Sequence, residues 1–472
     1  MKAYNPPMGW NSWDSYLTTV SEKDVIANAE YMRDHLLRLG WDTVVVDASW
    51  FDSDAKSAGY NNPDEGAQFC LDEYGRQIPS PTRFPSSANG TGFTLLAEKI
   101  HAMGLKFGFH VMRGIPRQAV RANLPVKGTT YHASDIADTM PEHLCHWNND
   151  NFGLNHAHPG AQAWYDAQVD LFASWGADFL KVDDMQAPFY PDEIAAYSSA
   201  IRTAELKYGR AITLSLSPGT QVATTHTDFL RSVAQMWRIS DDLWDKWSDV
   251  HAQFARLARW APLQEHGHWA DADMLPLGHL TVNDDNGGHQ SNLTIDEQKT
   301  LLTLWSMAHS PLMMGGDLPT SSSQTLALLQ NPWIGRVERE ALPGREVVRE
   351  PYARENNFDG WNGKEVPQGE FIVWTSRSDE PVSDPAGCAP RYAALFWTGS
   401  SVAEQDVDLA AITGLDDLDH TWKLTDLWSG TDEASVEDPL HMPARARIEG
   451  RKLYAHIPSH GVVWLRLDAV DA

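Results

Sequence analysis

Over the first two thirds of the chain, apolar and polar positions sort into short continuous runs and amphipathic stretches. Val25, Ala29, Met32, Leu36 and Leu39 recur at helical spacing behind a capping box of Ser21 and Asp24, and Gly40 ends the period. The β-branched run Thr43 to Val46 follows at once, as a strand buried on both faces requires. The same alternation predicts helices over 93–103, 161–175, 191–208, 245–260 and 295–308, the last opening on a second capping box, Thr294 and Glu297. Strands are expected over 8–13, 43–49, 105–111, 177–183, 211–216, 235–240, 267–273 and 309–314. Eight strands alternating with helices favour an α/β fold of the (β/α)8 TIM barrel type over an open doubly wound sheet. No Gly-x-Gly-x-x-Gly turn follows a predicted strand.

Beyond residue 336 the texture changes. Phe371 to Trp374, Tyr392 to Trp397, Trp422 to Leu427, Lys452 to Ile457 and Val462 to Leu467 read as strands with no helices between them. The expected division is therefore a catalytic barrel over 1–335 and a C-terminal antiparallel β-sandwich over 336–472. Acidic stretches at 355–369 and 378–390 read as exposed loops. Long insertions at 51–92 and 113–158 follow strands two and three, on the face where a barrel carries its chemistry. There they could wall a pocket or meet a second copy of the chain in a homo-oligomer.

Composition narrows the ligand. With 37 basic against 64 acidic residues the net charge is −27, which repels nucleic acid and anionic membrane surfaces and suits a small neutral or cationic partner. Cys70, Cys145 and Cys388 show neither pairing nor thiolate-metal spacing. No basic leader with an apolar stretch opens the chain, and no 18 apolar residues run together, so a soluble cytoplasmic protein is expected.

Barrel chemistry projects from the C-terminal ends of strands, and here those ends carry carboxylates: Asp47, Asp183 and Asp184, Asp241 and Asp242, Asp271 and Asp273. Lys181 shares a strand face with Asp183, and Arg238 bears the same relation to Asp242. Such a ring suits glycoside hydrolysis, where two carboxylates flank the scissile bond, or metal-assisted hydrolysis, where they hold an ion. The His-containing segments 142–146, 150–158 and 265–268 lack HExxH or two-His helical spacing, so no metal and no cofactor is assigned. Tryptophans near strand ends, Trp13 and Trp50 among them, favour a neutral saccharide, whose C–H face sits on flat aromatics.

The segments Pro6 to Trp13, Val46 to Trp50, Leu180 to Asp184, Arg238 to Asp242 and Asp271 to Leu275 resemble glycoside hydrolase family 27, the α-galactosidase and α-N-acetylgalactosaminidase group. The resemblance implies Asp183 as nucleophile and Asp242 as acid/base of a retaining exo-glycosidase. It makes Trp13 the sugar platform, Asp47 and Lys181 ligands on the C3 to C6 side, Arg238 a ligand on the C2 to C3 side, and Asp273 part of the wall. Trp50 joins the substrate-binding set, Arg113 is a candidate for it, and Asp242 is expected in a drier or more acidic setting than Asp183.

Two positions depart from the α-galactosidase pattern. Ala48 stands where that group has a second adjacent Asp, removing a ligand for the O4/O6 edge, and Ser217 stands nearest a Glu that holds the C2 hydroxyl. Terminal α-D-galactopyranosides rank first as substrates. β-L-Arabinopyranosides, which lack C6, come close behind, then α-N-acetylgalactosaminides. A metal-dependent barrel hydrolase and an inactive sugar-binding relative are the rival classes. The role of His110 is left open.

Overall fold

In the computed structural model, which describes residues 4–57, 59–352, 368–379, 388–415, 421–429 and 445–470, the eight apolar runs form a single parallel sheet. Its strands are β1 (Met8–Asn11), β2 (Thr43–Val46), β3 (Lys106–Met112), β4 (Phe179–Asp183), β5 (Thr213–Leu216), β6 (Met236–Arg238), β7 (Trp269–Asp271) and β8 (Leu312–Met314). They run in the order β7-β6-β5-β4-β3-β2-β1-β8. The two edges meet where Leu275, just past β7, bridges Met314 in parallel. The Leu275 N–H donates to the Met313 carbonyl at 2.8 Å and the Gly315 N–H to the Leu275 carbonyl at 2.9 Å, so the sheet curls on itself as a barrel.

Local chemistry explains these elements. The helix Glu22–His35 starts where the Asp24 carboxylate accepts from the Ser21 N–H at 2.9 Å, and the chain leaves its last turns at Gly40, with φ of 106°. Helices Thr94–Ala102, Gly160–Ser174 and Pro191–Tyr208 fill the crossovers expected of them. The helix Thr227–Val233 between β5 and β6 escaped the periodicity because seven residues hold barely two turns of pattern. Inside the sheet, Val45, Phe179, Met236, Trp269 and Met313 pack with Met274, and Trp13 lies against them.

The chain divides into two compact units, one of residues 1–244, 265–291 and 311–326, the other of 245–264, 292–310 and 327–472. Among the described residues the second unit includes helices Trp247–Trp260 and Ile295–Ala308 as well as eight strands. Of these, β9 (Arg345–Tyr352), β10 (Gly369–Arg377), β11 (Arg391–Trp397), β13 (Thr421–Asp426) and β16 (Val462–Val470) pair antiparallel in the order β9-β10-β11-β16-β13. A second sheet holds β12 (Ala403–Asp408), β14 (Ala446–Glu449) and β15 (Lys452–Ile457) in the order β12-β15-β14. Phe371, Val373, Leu395 and Leu465 from the first sheet and Leu453, Ala455 and Ile457 from the second share one core. Most of the acidic stretches 355–369 and 378–390 lies outside the described residues.

Among the described residues no helix is long and apolar enough to cross a membrane.

Candidate active site

The C-terminal ends of β1, β2, β4, β6 and β7 surround a cavity of about 490 Å³, within the range of small-molecule sites. Alternation along β4 turns Lys181 and Asp183 into it and leaves Val182 in the core. Trp13, Asp14, Asp47, Arg238, Asp242 and Asp273 line it too, with Tyr60, Trp147, Pro218, Asp241, Leu243, Trp244 and Met274.

One side is organised by Asp47. Its Oδ2 accepts from Lys181 Nζ and from Asn11 Nδ2, each at 2.8 Å, and its Oδ1 from the Ala48 N–H at 2.8 Å. Burial would raise this carboxyl, but the Lys181 and His110 charges outweigh burial and hold it below the ordinary value. Lys181 is held in its charged form: burial works against the ammonium, and Asp47 and Asp183 more than offset that. The opposite side is built on Arg238, whose guanidinium meets Asp273 at 2.8 Å and Asp242 at 3.2 Å. Asp273 is further fixed by the Leu243 N–H at 2.7 Å. Its burial still pushes it up to about 7, with Asp242 and Asp271 adding to the rise against Arg238.

Asp183 lies between these sides. His110 Nε2 approaches its Oδ2 at 3.2 Å and the Asp184 N–H donates to its Oδ1 at 2.9 Å. Burial raises this carboxyl too, yet the His110 hydrogen bond and charge, then Lys181 and the Asp184 N–H, hold it well below the usual carboxylate range. It is a half-buried carboxylate kept ionised, the state that nucleophilic attack by a carboxylate requires. Asp242 differs, for its side chain is 62% exposed. The drier setting expected of it is not found in the free protein: Asp242 lies past the end of β6, far more open than the half-buried Asp183, so a bound ligand would have to supply the dryness.

Three residues of the expected binding set do not line the cavity. Trp50 is fully buried among Phe51, Phe93, Phe109, Phe172 and Trp175. Its indole N–H donates to the His110 carbonyl at 2.7 Å, so it supports the strand that carries His110. Arg113 turns away behind β4. It binds Asp184 at 2.7 Å, Glu193 at 3.2 Å and the His143 carbonyl at 2.8 Å, under the Tyr190 ring. Ser217 is buried, its hydroxyl enclosed in the protein, and its neighbour Pro218 reaches the cavity instead.

Other residues went unrecognised in the sequence. His110 pairs in register with Lys181, information carried only by the β3–β4 pairing. Asp14 follows Trp13 in the short helix Trp13–Tyr16 and lines the cavity with Oδ2 buried and unbonded. Burial, then the charge of Asp273, raises it well above the ordinary value. Gly315 makes room for it, since a Cβ there would overlap the Asp14 carboxyl. Tyr60 and Trp147 come from the two long insertions.

Comparison with known proteins agrees with this geometry. Residues 144–340 match the family described as alpha galactosidase A. A family 27 β-L-arabinopyranosidase from Geobacillus stearothermophilus, solved in complex with arabinose, is 37% identical, with 99% of this chain and 98% of that one covered and a TM-score of 0.83. An α-galactosidase of Oryza sativa subsp. japonica is 25% identical over 414 residues, 85% of this chain and 80% of the relative. The α-N-acetylgalactosaminidase of Homo sapiens is 25% identical over 431 residues, 85% of this chain and 84% of the relative. Barrel, carboxylate-lined cavity and relatives together define a glycoside hydrolase. The chain belongs to glycoside hydrolase family 27.

Proposed function

We propose that the protein is a retaining exo-glycosidase acting on terminal α-D-galactopyranosyl-type residues, with β-L-arabinopyranosides cleaved at least as well. The observation that carries this is the pairing of a half-buried, ionised Asp183 with an open Asp242 in one cavity. The Asp183 carboxylate attacks the anomeric carbon as the bond to the leaving oxygen breaks, and Asp242 gives that oxygen its proton. Water then attacks the same carbon, Asp242 takes the water's proton, and Asp183 is released with the anomeric configuration retained. Trp13 offers the sugar a flat face, Asp47 and Lys181 bind hydroxyls on the C3 to C6 side, and Arg238 with Asp273 holds the C2 to C3 side.

The arabinoside preference rests on Ala48 and on the 37% identity to an arabinopyranosidase. Ala48 is buried beside Asp47 and brings no group to the cavity, so nothing at this position rewards a C6 hydroxyl. A hydroxyl contact of that kind contributes about 0.5–1.5 kcal/mol, enough to shift preference while leaving the chemistry intact. Ser217 lies outside the cavity lining, which leaves N-acetylgalactosaminides last.

Nitrophenyl glycosides of the three sugars test the reading. The expected order in kcat/KM is β-L-arabinopyranoside at or above α-D-galactopyranoside, with the N-acetylgalactosaminide lowest. A galactoside clearly ahead overturns the preference, and no turnover of any of them overturns the function. Activity abolished by a chelator would favour the metal-dependent class.

A further inference from the structure

Exposure changes in one direction along the cavity. Asp14, Asp47 and Asp273 are buried, Trp13 and Tyr60 are half-buried, and of the lining residues Trp147, Asp241 and Asp242 are exposed. The exposed three mark the mouth. One wall reaches it as a run of rings: Trp13 stacks on Tyr60 at 6.0 Å between centroids and 15° between planes, and Tyr60 meets Trp147 at 5.8 Å and 49°. Each insertion thus contributes one ring, Tyr60 from 51–92 and Trp147 from 113–158. A single exposed aromatic is an ordinary surface feature. Trp147 is different, because at 41% exposure it ends a stack that begins inside the cavity.

An exo-acting pocket receives the non-reducing sugar at its closed end, so whatever that sugar is joined to must lie at the mouth. Asp242, also exposed there, delivers its proton to the oxygen between the two. The ring of the leaving group therefore lies at the mouth between Asp242 and the aromatic wall. We infer that Trp147 is the platform for the leaving group, a subsite that takes a flat or ring-shaped aglycone, a second sugar or an aryl group, on the indole face. This rests on the reading of Asp183 and Asp242 given above. A pyranose or aryl ring covering an indole gains apolar burial and stacking without a fixed hydrogen-bond pattern, so the subsite would select rings over linear alcohols.

The test compares two substrates with the same sugar and different leaving groups: nitrophenyl β-L-arabinopyranoside, which has a ring to stack, and β-L-arabinopyranosyl fluoride, which has none. In Trp147→Ala, kcat/KM for the nitrophenyl glycoside is expected to fall roughly tenfold more than for the fluoride. Trp147→Phe, which keeps a flat face, should recover most of that difference. If Trp147→Ala does not fold, Trp147→Leu replaces it, keeping bulk without the face. Equal losses on both substrates, or no loss on either, overturn the subsite. If the unaltered enzyme cleaves neither substrate, the functional reading fails first and this inference falls with it.

Discussion

Asp183 and Asp184 are neighbours in the chain, yet they belong to two electrostatic regions with opposite characters. Asp183 faces the cavity, where two cations, Lys181 and Arg238, stand among six carboxylates, Asp183 included, and where Asp14 has no hydrogen bond on Oδ2. Asp184, turned by a positive φ of 60°, faces back into the protein. There Arg113 is shared between Asp184 and Glu193, and Glu193 also meets His156 at 2.9 Å, the Leu154 N–H at 3.0 Å and the Tyr165 hydroxyl. The rear cluster spends its donors on its own acceptors and holds loops together. The front cluster leaves polar groups uncommitted, which costs stability unless a ligand meets them. Of these two clusters, it is the one with uncommitted groups that faces the cavity.

The contrast can be broken most strongly at Asp183. Asp183→Asn should lower kcat by about 10⁴-fold or more while leaving the thermal unfolding midpoint near that of the unaltered protein. A variant retaining substantial turnover would remove Asp183 from the nucleophile's role. Behind the strand the opposite signature is expected. Arg113→Met leaves Asp184 and Glu193 buried without their shared cation and should cost about 3–5 kcal/mol of stability, measured by urea unfolding. KM of the folded fraction should change little, and a large KM change with intact stability would place Arg113 at the substrate after all.

His110 joins the two behaviours and sharpens the comparison. As the proposed nucleophile, Asp183 would have to be ionised to attack, so activity should fall as pH drops through its pKa, which His110 helps to depress. In His110→Ala that pKa rises, and the acidic limb of the kcat/KM profile should move to higher pH, with about a tenfold loss at the optimum. An unmoved limb would show that His110 only fills space. The smallest effect is expected at Asp150, a buried carboxyl beside the site that burial pushes up to about 7. Its folded pKa lies above the ordinary one, so its contribution to stability is complete at low pH and is lost as pH rises through about 7. Asp150→Asn should gain on the unaltered protein between pH 5 and pH 8, on the order of 1 kcal/mol, read from unfolding midpoints at the two pH values. A constant difference across that range would contradict the burial argument.

Much of the framework was legible in the chain. Runs such as Thr43 to Val46 can only be buried strands, and the Ser21–Asp24 box starts its helix where the side chains dictate. The C-terminal strands β10, β11, β13, β15 and β16 were equally plain, while β9, β12 and β14 were missed because nearly all their residues are exposed or half-buried and charges interrupt every apolar run. Trp50 shows where strand-end reasoning fails. It lies four residues past Val46, close to the cavity in sequence, but the chain turns through Ser49, at φ of 64°, and carries the ring into the core.

Taken alone, the sequence determined which residues could do the chemistry. The same-face spacing of Lys181 and Asp183 is local, set by strand geometry that needs no partner, whereas Asp242 lies past the end of β6 and is placed by the loop that follows. Only the tertiary structure decided which charges would be used. Strand pairing brings His110 level with Lys181, the barrel's curl sets Asp47 against Lys181, and two insertions bring Tyr60 and Trp147 to one wall. The ionisation state of a carboxylate depends on what surrounds it within a few ångströms, and at Asp183 the chain neighbours Lys181 and Asp184 are joined by His110, 73 residues away in sequence.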